Sequence, residues 1–153
     1  MTMGTLVMGV INVTPDSFSD GGMWFTPDAG VAHGLELLEQ GADILDVGGE
    51  STRPGAIRTT QDEELRRVIP VIRELARNGA RVSIDTMRAA VAAQAVEAGA
   101  SIVNDVSGGL ADTDMARVVA AMRVPFVVMH WRGHSATMQS RASYDDVVSN
   151  VCR

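Results

Sequence analysis

A single cysteine, Cys152, occurs in the 153 residues, so neither a disulfide framework nor a cysteine-based metal site can be assembled within the chain. That usage fits a reducing compartment, and a cytoplasmic location is expected. Aromatic residues are only 4% of the sequence, too few for an aromatic cage or a base-stacking platform. Basic charge is also in deficit, with 13 Lys and Arg against 19 Asp and Glu and a net charge of -6. Nucleic acids and anionic membranes reward clustered basic groups, so neither is an expected partner. No run approaches the ~18 uninterrupted apolar residues of a membrane helix. Met1 to Ile11 has neither a basic leader nor a small-residue cleavage pattern. A G-x-G-x-x-G or phosphate-loop motif is missing too, which argues against a dinucleotide fold.

What is present reads as one globular domain, residues 1–153, at 46% hydrophobic and 21% charged residues. Apolar runs at Leu6 to Ile11, Ile44 to Val47, Val82 to Ile84, Ile102–Val103 and Phe126 to Met129 have the length and composition of buried strands. Helical patterns lie between them. Thr26-Pro27-Asp28 supplies an N-cap, a first-turn proline and an early acid, followed by Val31, Leu35 and Leu38 at helical spacing up to Gly41. Thr60-x-x-Glu63 has capping-box form, and Leu65, Val68, Ile69, Ile72 and Leu75 line one face, with Pro70 expected to kink or break that helix. Thr86 is expected to cap a helix from Met87 to Ala98. Another is expected from about Asp112 to Arg123, and Ser143-x-x-Asp146 is expected to open a last one. Met8, Met115, Met122 and Met129 fall in apolar patterns and read as core filler; His33 reads as helix surface.

Strict β-then-α alternation implies parallel strands with right-handed crossovers, as in an open doubly wound sheet or a (β/α)₈ barrel. In a parallel barrel all strands end at one rim, where the active site lies. Asn12, Asp46, Asp85, Asn104, Asp105 and His130 each stand at or just beyond such an end, so one shared cavity is expected. The opening segment Val7 to Gly22 adds Thr14, Asp16, Ser17, Ser19 and Asp20, more polar groups than a plain connection of ~2 to 6 residues needs. On its own, Asn12 starts a turn or offers a carbonyl oxygen to a hard cation such as Mg²⁺. Asp85 either caps the next helix or accepts paired N–H donors, Asn104 can donate and accept, and Asp105 is assigned a capping task. Arg53 is either solvated or grips an oxyanion through its forked guanidinium. His130 and His134 have an H-x-x-x-H spacing, but His130 follows a strand and Gly133 intervenes, so zinc is not expected.

Five segments occur in order: VMGVINVTPDSFSDGG (Val7 to Gly22), DVGGESTRPG (Asp46 to Gly55), SIDT (Ser83 to Thr86), IVNDVSGG (Ile102 to Gly109) and VVMHW (Val127 to Trp131). Together they resemble the amino-terminal part of a bacterial dihydropteroate synthase. The resemblance selects the parallel (β/α)₈ barrel, here its first five β/α units, because a whole barrel needs eight strands and at least ~200 residues. The sequence thus reads as a truncated product or clipped record, with unpaired outer strands that favour poor stability or self-association.

The activity implied is the joining of p-aminobenzoate to the methylene carbon of a dihydropterin diphosphate, releasing pyrophosphate, with Mg²⁺ as cofactor. By the same resemblance Asn12 contacts the magnesium, and Asp85 and Asn104 hold the pterin. Thr52 reaches the pterin substrate, Arg53 and Pro54 help form the aminobenzoate pocket, and Phe18 packs against the benzoate ring; His130 is read as a rim residue, near the diphosphate or structural. Asp85, Asn104 and Arg53 form the implied catalytic set. The family's later acid, lysine and arginine have no counterpart before Arg153, so the 153 residues alone are expected to be inactive. The full-length family member is expected to be a homodimer. Two alternatives are a methyltetrahydrofolate-binding barrel, which should lack the STRPG and NVTPDSF loops, and a non-catalytic remnant or interaction protein.

Overall fold

Five strands, β1 (Met8–Asn12), β2 (Ile44–Gly48), β3 (Val82–Asp85), β4 (Ile102–Asp105) and β5 (Phe126–Val128), lie side by side in chain order, every neighbouring pair parallel. They belong to a computed structural model that describes residues 4–14, 26–51, 53, 56 and 58–152. Helices α1 (Pro27–Glu39), α2 (Gln61–Arg77), α3 (Ala89–Ala98) and α4 (Met115–Met122) connect them, followed by a 3₁₀ turn (Met138–Arg141) and α5 (Val147–Val151). The arrangement is an incomplete (β/α)₈ barrel of five strands.

Strand side chains alternate between two faces, and the register aligns that alternation across the sheet. Ile11, Leu45, Val47, Val82, Ile84 and Val103 face outward and are completely buried. Against them pack Val68, Val71, Ile72 and Leu75 of α2, Val91, Ala92 and Ala95 of α3, and Met115 and Val119 of α4. Gly34 of α1 is part of this fit, since a Cβ there would come within 2.8 Å of a Leu75 methyl and 2.9 Å of an Ile11 methyl. Thr26 and Thr60 cap as expected, their hydroxyls accepting from the N–H of Ala29 and Glu63, both at 3.3 Å. Among the described residues no helix is long and apolar enough to cross a membrane.

Several local expectations are corrected. α2 runs unbroken past Pro70; the proline is exposed, so the Arg66 carbonyl it leaves unbonded faces water. Glu63 does not reach back to complete the capping box, because its carboxylate takes Arg66 and Arg67 instead. Thr86 does not cap α3. Its hydroxyl donates to Glu64 and accepts from the Arg88 N–H at 3.1 Å, ahead of the helix, and the N–H of Ala89 is taken by Asp112 from the loop after β4 at 2.8 Å. The last helix is capped by Asp146 rather than Ser143. Of the four methionines expected in the core, Met115 is buried, whereas Met8 and Met129 are 36% and 47% exposed.

Those two share the other sheet face with Val10 and Val127, which are 55% and 39% exposed. β1 and β5 are also edge strands, and rows of unpaired backbone groups beside apolar side chains template association. The 153-residue chain is therefore expected to sediment as oligomers at micromolar concentration; a monomer with a cooperative thermal transition would contradict this.

Candidate functional site

Asn12, Gly48, Asp85, Asn104 and Val127 are register partners from one strand to the next. They form a single row at the carboxyl ends of all five strands, on the face away from the helices. One row further in lie Val10, Asp46, Ser83 and Ile102, pointing the same way. Gly48 leaves room for its neighbour: a Cβ there would stand 3.3 Å from Asp85 Oδ2. The Asn104 Nδ2 donates to Asp46 Oδ2 at 2.8 Å. Asp46 Oδ1, Asn104 Oδ1 and Ser83 Oγ are buried without a hydrogen-bond partner, an arrangement that costs free energy until a donor arrives.

Burial raises the Asp85 carboxyl to about 7, and the charges of Asp46, Glu64, Asp105 and Glu50 push in the same direction. A carboxyl poised there can accept N–H donors when ionised or hold a proton near neutral pH. Asn12 is exposed at the end of the row and presents a neutral oxygen. Among the described residues no group of three His, Cys, Asp or Glu is placed to hold a metal.

Two residues expected in this cavity are elsewhere. Asp105 pairs with Val128 and so faces the helices. It is fully buried and accepts from the Ser107 N–H and hydroxyl at 2.7 Å and the Gly109 N–H at 2.8 Å, bonds that close the turn after β4 and not the helix cap expected of it, since α4 starts only at Met115. His130 is exposed beyond β5, its Nε2 3.3 Å from the Tyr144 hydroxyl. With Arg132, Met138 and Tyr144 it lines a separate recess of about 200 Å³. Arg53 is exposed on a bend, where its carbonyl accepts from Ala56 N–H at 3.1 Å. Thr52, Pro54 and Phe18, with Asp16 and Asp20, lie outside the described residues.

A buried ionic cluster beside the row went unread in the sequence. Arg88, just before α3, donates to Glu50 at 2.7 Å, to the Thr59 carbonyl at 2.5 Å, and to Glu64. Glu64 also accepts from the Thr86 hydroxyl at 2.6 Å, and Glu50 from Arg58 at 2.9 Å. Arg67 donates to the Gly49 carbonyl at 2.9 Å. The cluster clamps the loop after β2 to the starts of α2 and α3. A signal existed: Glu64 is in helical phase with Val68, Val71, Ile72 and Leu75, an acid on an apolar stripe and 1% exposed, which requires a partner.

A profile of the family described as pterin binding enzyme matches residues 8–153. The chain belongs to that family. It is 58% identical over 146 residues to dihydropteroate synthase of Mycobacterium leprae, covering 95% of this chain and 51% of the relative. To the Bacillus subtilis synthase it is 54% identical over 129 residues, covering 84% and 45%. Among solved structures, Xanthomonas albilineans dihydropteroate synthase with 4-aminobenzoic acid superposes with a TM-score of 0.84 at 51% identity, covering 94% of this chain and 50% of that one. The same enzyme in complex with 7,8-dihydropteroate gives 0.78 at 46%, covering 94% and 49%. The chain thus spans about half the length of the relatives it matches.

Two predictions follow from the geometry. Replacing Arg88 by Met strands the buried Glu64, and a loss of roughly 3 kcal/mol is expected; a urea midpoint close to wild type would show that the cluster carries no such weight. Because the folded Asp85 binds its proton more tightly than the unfolded chain does, its contribution to stability declines from about pH 4 up to its folded value of about 7 and is level above. Asp85→Asn should flatten the melting temperature between those limits and raise it at pH 8, as scanning calorimetry can test.

Proposed function

We propose that this chain carries the pterin-holding part of a dihydropteroate synthase site. The reaction joins p-aminobenzoate to the methylene carbon of (7,8-dihydropterin-6-yl)methyl diphosphate, giving 7,8-dihydropteroate and pyrophosphate. The arylamine nitrogen bonds to the methylene carbon, the carbon–oxygen bond breaks, pyrophosphate leaves with the electron pair, and the amine gives up a proton. The observation that carries the reading is the row Asn12–Gly48–Asp85–Asn104, backed by buried acceptors with no partner.

In this reading the Asp85 carboxylate accepts from the amino group and ring N–H of the pterin, side by side, and Asn104 Oδ1 takes a further donor. Holding the ring there sets the methylene carbon toward the mouth, where an arylamine can approach in line. Arg53 serves at the same mouth by pairing with an oxyanion of either substrate. Thr52, Pro54 and Phe18 are assigned to the pterin and the benzoate. A magnesium ion fits Asn12, a neutral exposed oxygen, as one protein ligand among waters and substrate phosphates; when bound it would offset the charge of the leaving group. The single cysteine supports a cytoplasmic setting, and a homodimer is proposed for the whole protein.

Fluorescence titration of the 153-residue chain with 6-hydroxymethylpterin is the direct test. Binding is expected, with Asp85→Ala weakening it by roughly tenfold or more, since a hydrogen bond to a charged group contributes ~1.5–3 kcal/mol, and Asn104→Ala by up to about tenfold, a neutral hydrogen bond contributing ~0.5–1.5 kcal/mol. These residues alone are expected to form no pteroate, because the chain spans only about half of each relative. Binding unaltered by both substitutions would remove the proposal.

A further inference from the structure

Asp46 is on β2 and Asn104 on β4, so the hydrogen bond between them crosses the whole width of β3. Neighbouring strands are ~4.8 Å apart, so two strands away means about 10 Å between backbones. Side chains of this length can meet over such a gap only where the intervening strand keeps out of the way. The residue of β3 in register with Asp46 is Ser83, and the one in register with Asn104 is Asp85. Ser83 is fully buried, and its hydroxyl has no partner. It therefore contributes smallness at that point, not a hydrogen bond.

The end of the Asn104 amide that meets Asp46 Oδ2 is its nitrogen, which donates, so Oδ1 is turned away from Asp46. We infer that Asp46 is a positioning residue: reaching over Ser83, it fixes the amide plane of Asn104 so that Oδ1 is presented to the ligand as an acceptor. Its own Oδ1, also unpartnered, adds a second acceptor beside it. A site so arranged takes a heterocycle edge that carries N–H donors, and this deepens the pterin reading on which it rests. An asparagine held in one of its two flips before the ligand arrives also spares part of the cost of ordering that side chain on binding, ~0.5–1.5 kcal/mol for a mobile one.

The Asn104 side-chain amide in the unligated chain, assigned by its loss in Asn104→Ser, gives a nitrogen-15 NMR readout that does not depend on the ligand. In wild type one Nδ2 proton is expected downfield and slow to exchange. The near-isosteric Asp46→Asn, which can meet Asn104 in either orientation, should broaden or split that resonance. Ser83→Val, which fills the crossing point while leaving both partners intact, should return it to the free-asparagine position. Ser83→Ala should leave it unchanged. Affinity for 6-hydroxymethylpterin is expected to fall by up to about tenfold with the first two substitutions. An Asn104 resonance indifferent to Asp46→Asn, or one that responds to Ser83→Ala as much as to Ser83→Val, overturns the inference. Wild type that shows the expected resonance but does not bind the pterin overturns the pterin reading and leaves the Asp46–Asn104 positioning standing.

Discussion

Parallel pairing in strict chain order makes every strand finish on the same side of the sheet, and the register from β1 to β4 then decides which side chains finish together. Asn12, Gly48, Asp85 and Asn104 are level because their strands are held by a common ladder. A slip of one residue at any pairing would turn that strand's polar group toward the helices and an apolar one toward the opening. What prevents the slip is the outer face, where Ile11, Val47, Ile84 and Val103 are locked between the sheet and its helices. The apolar face thus specifies the polar one.

The polar face is held at a cost. Burial, and then the nearby charge of Asp46, disfavour the ionised form of Asp85. Ser83 and Asn104 leave polar atoms unpartnered. Such a surface is tolerable when other parts of the domain are well compensated, and the Arg88 cluster is one such part. There two buried carboxylates share a guanidinium and tie the loop after β2 to α2 and α3, so the segment carrying Arg53 starts from a braced origin. Strain against free energy at a site, with compensation around it, is the usual pattern of functional surfaces.

Most of the architecture could be read from periodicity, because apolar strands of three to five residues alternating with capped amphipathic helices admit few topologies. Element ends were less well read. Thr86 has the chemistry of a cap, yet its hydroxyl bonds Glu64 and the N–H of Arg88, one residue short of the helix, and Asp112 supplies the cap from 23 residues away. Adjacent letters also misled: Asn104 and Asp105 both end β4, but the two-residue repeat of a strand sends one to the opening and the other into the helical layer. Met8 and Met129 follow apolar patterns and are still exposed, because the helices cover only the other side of the sheet.

Composition and local pattern by themselves determined the alternation of elements, the outward apolar stripes and the polar residues at the strand ends, since each depends on neighbours within one or two turns of chain. Register across the sheet, the crossing of Asp46 to Asn104 over Ser83, the pairing of Glu64 with Arg88 and the raised proton affinity of Asp85 were decided only in three dimensions. Each of those depends on groups 20 to 60 residues apart, and on how much water is shut out where they meet, which no stretch of sequence carries alone.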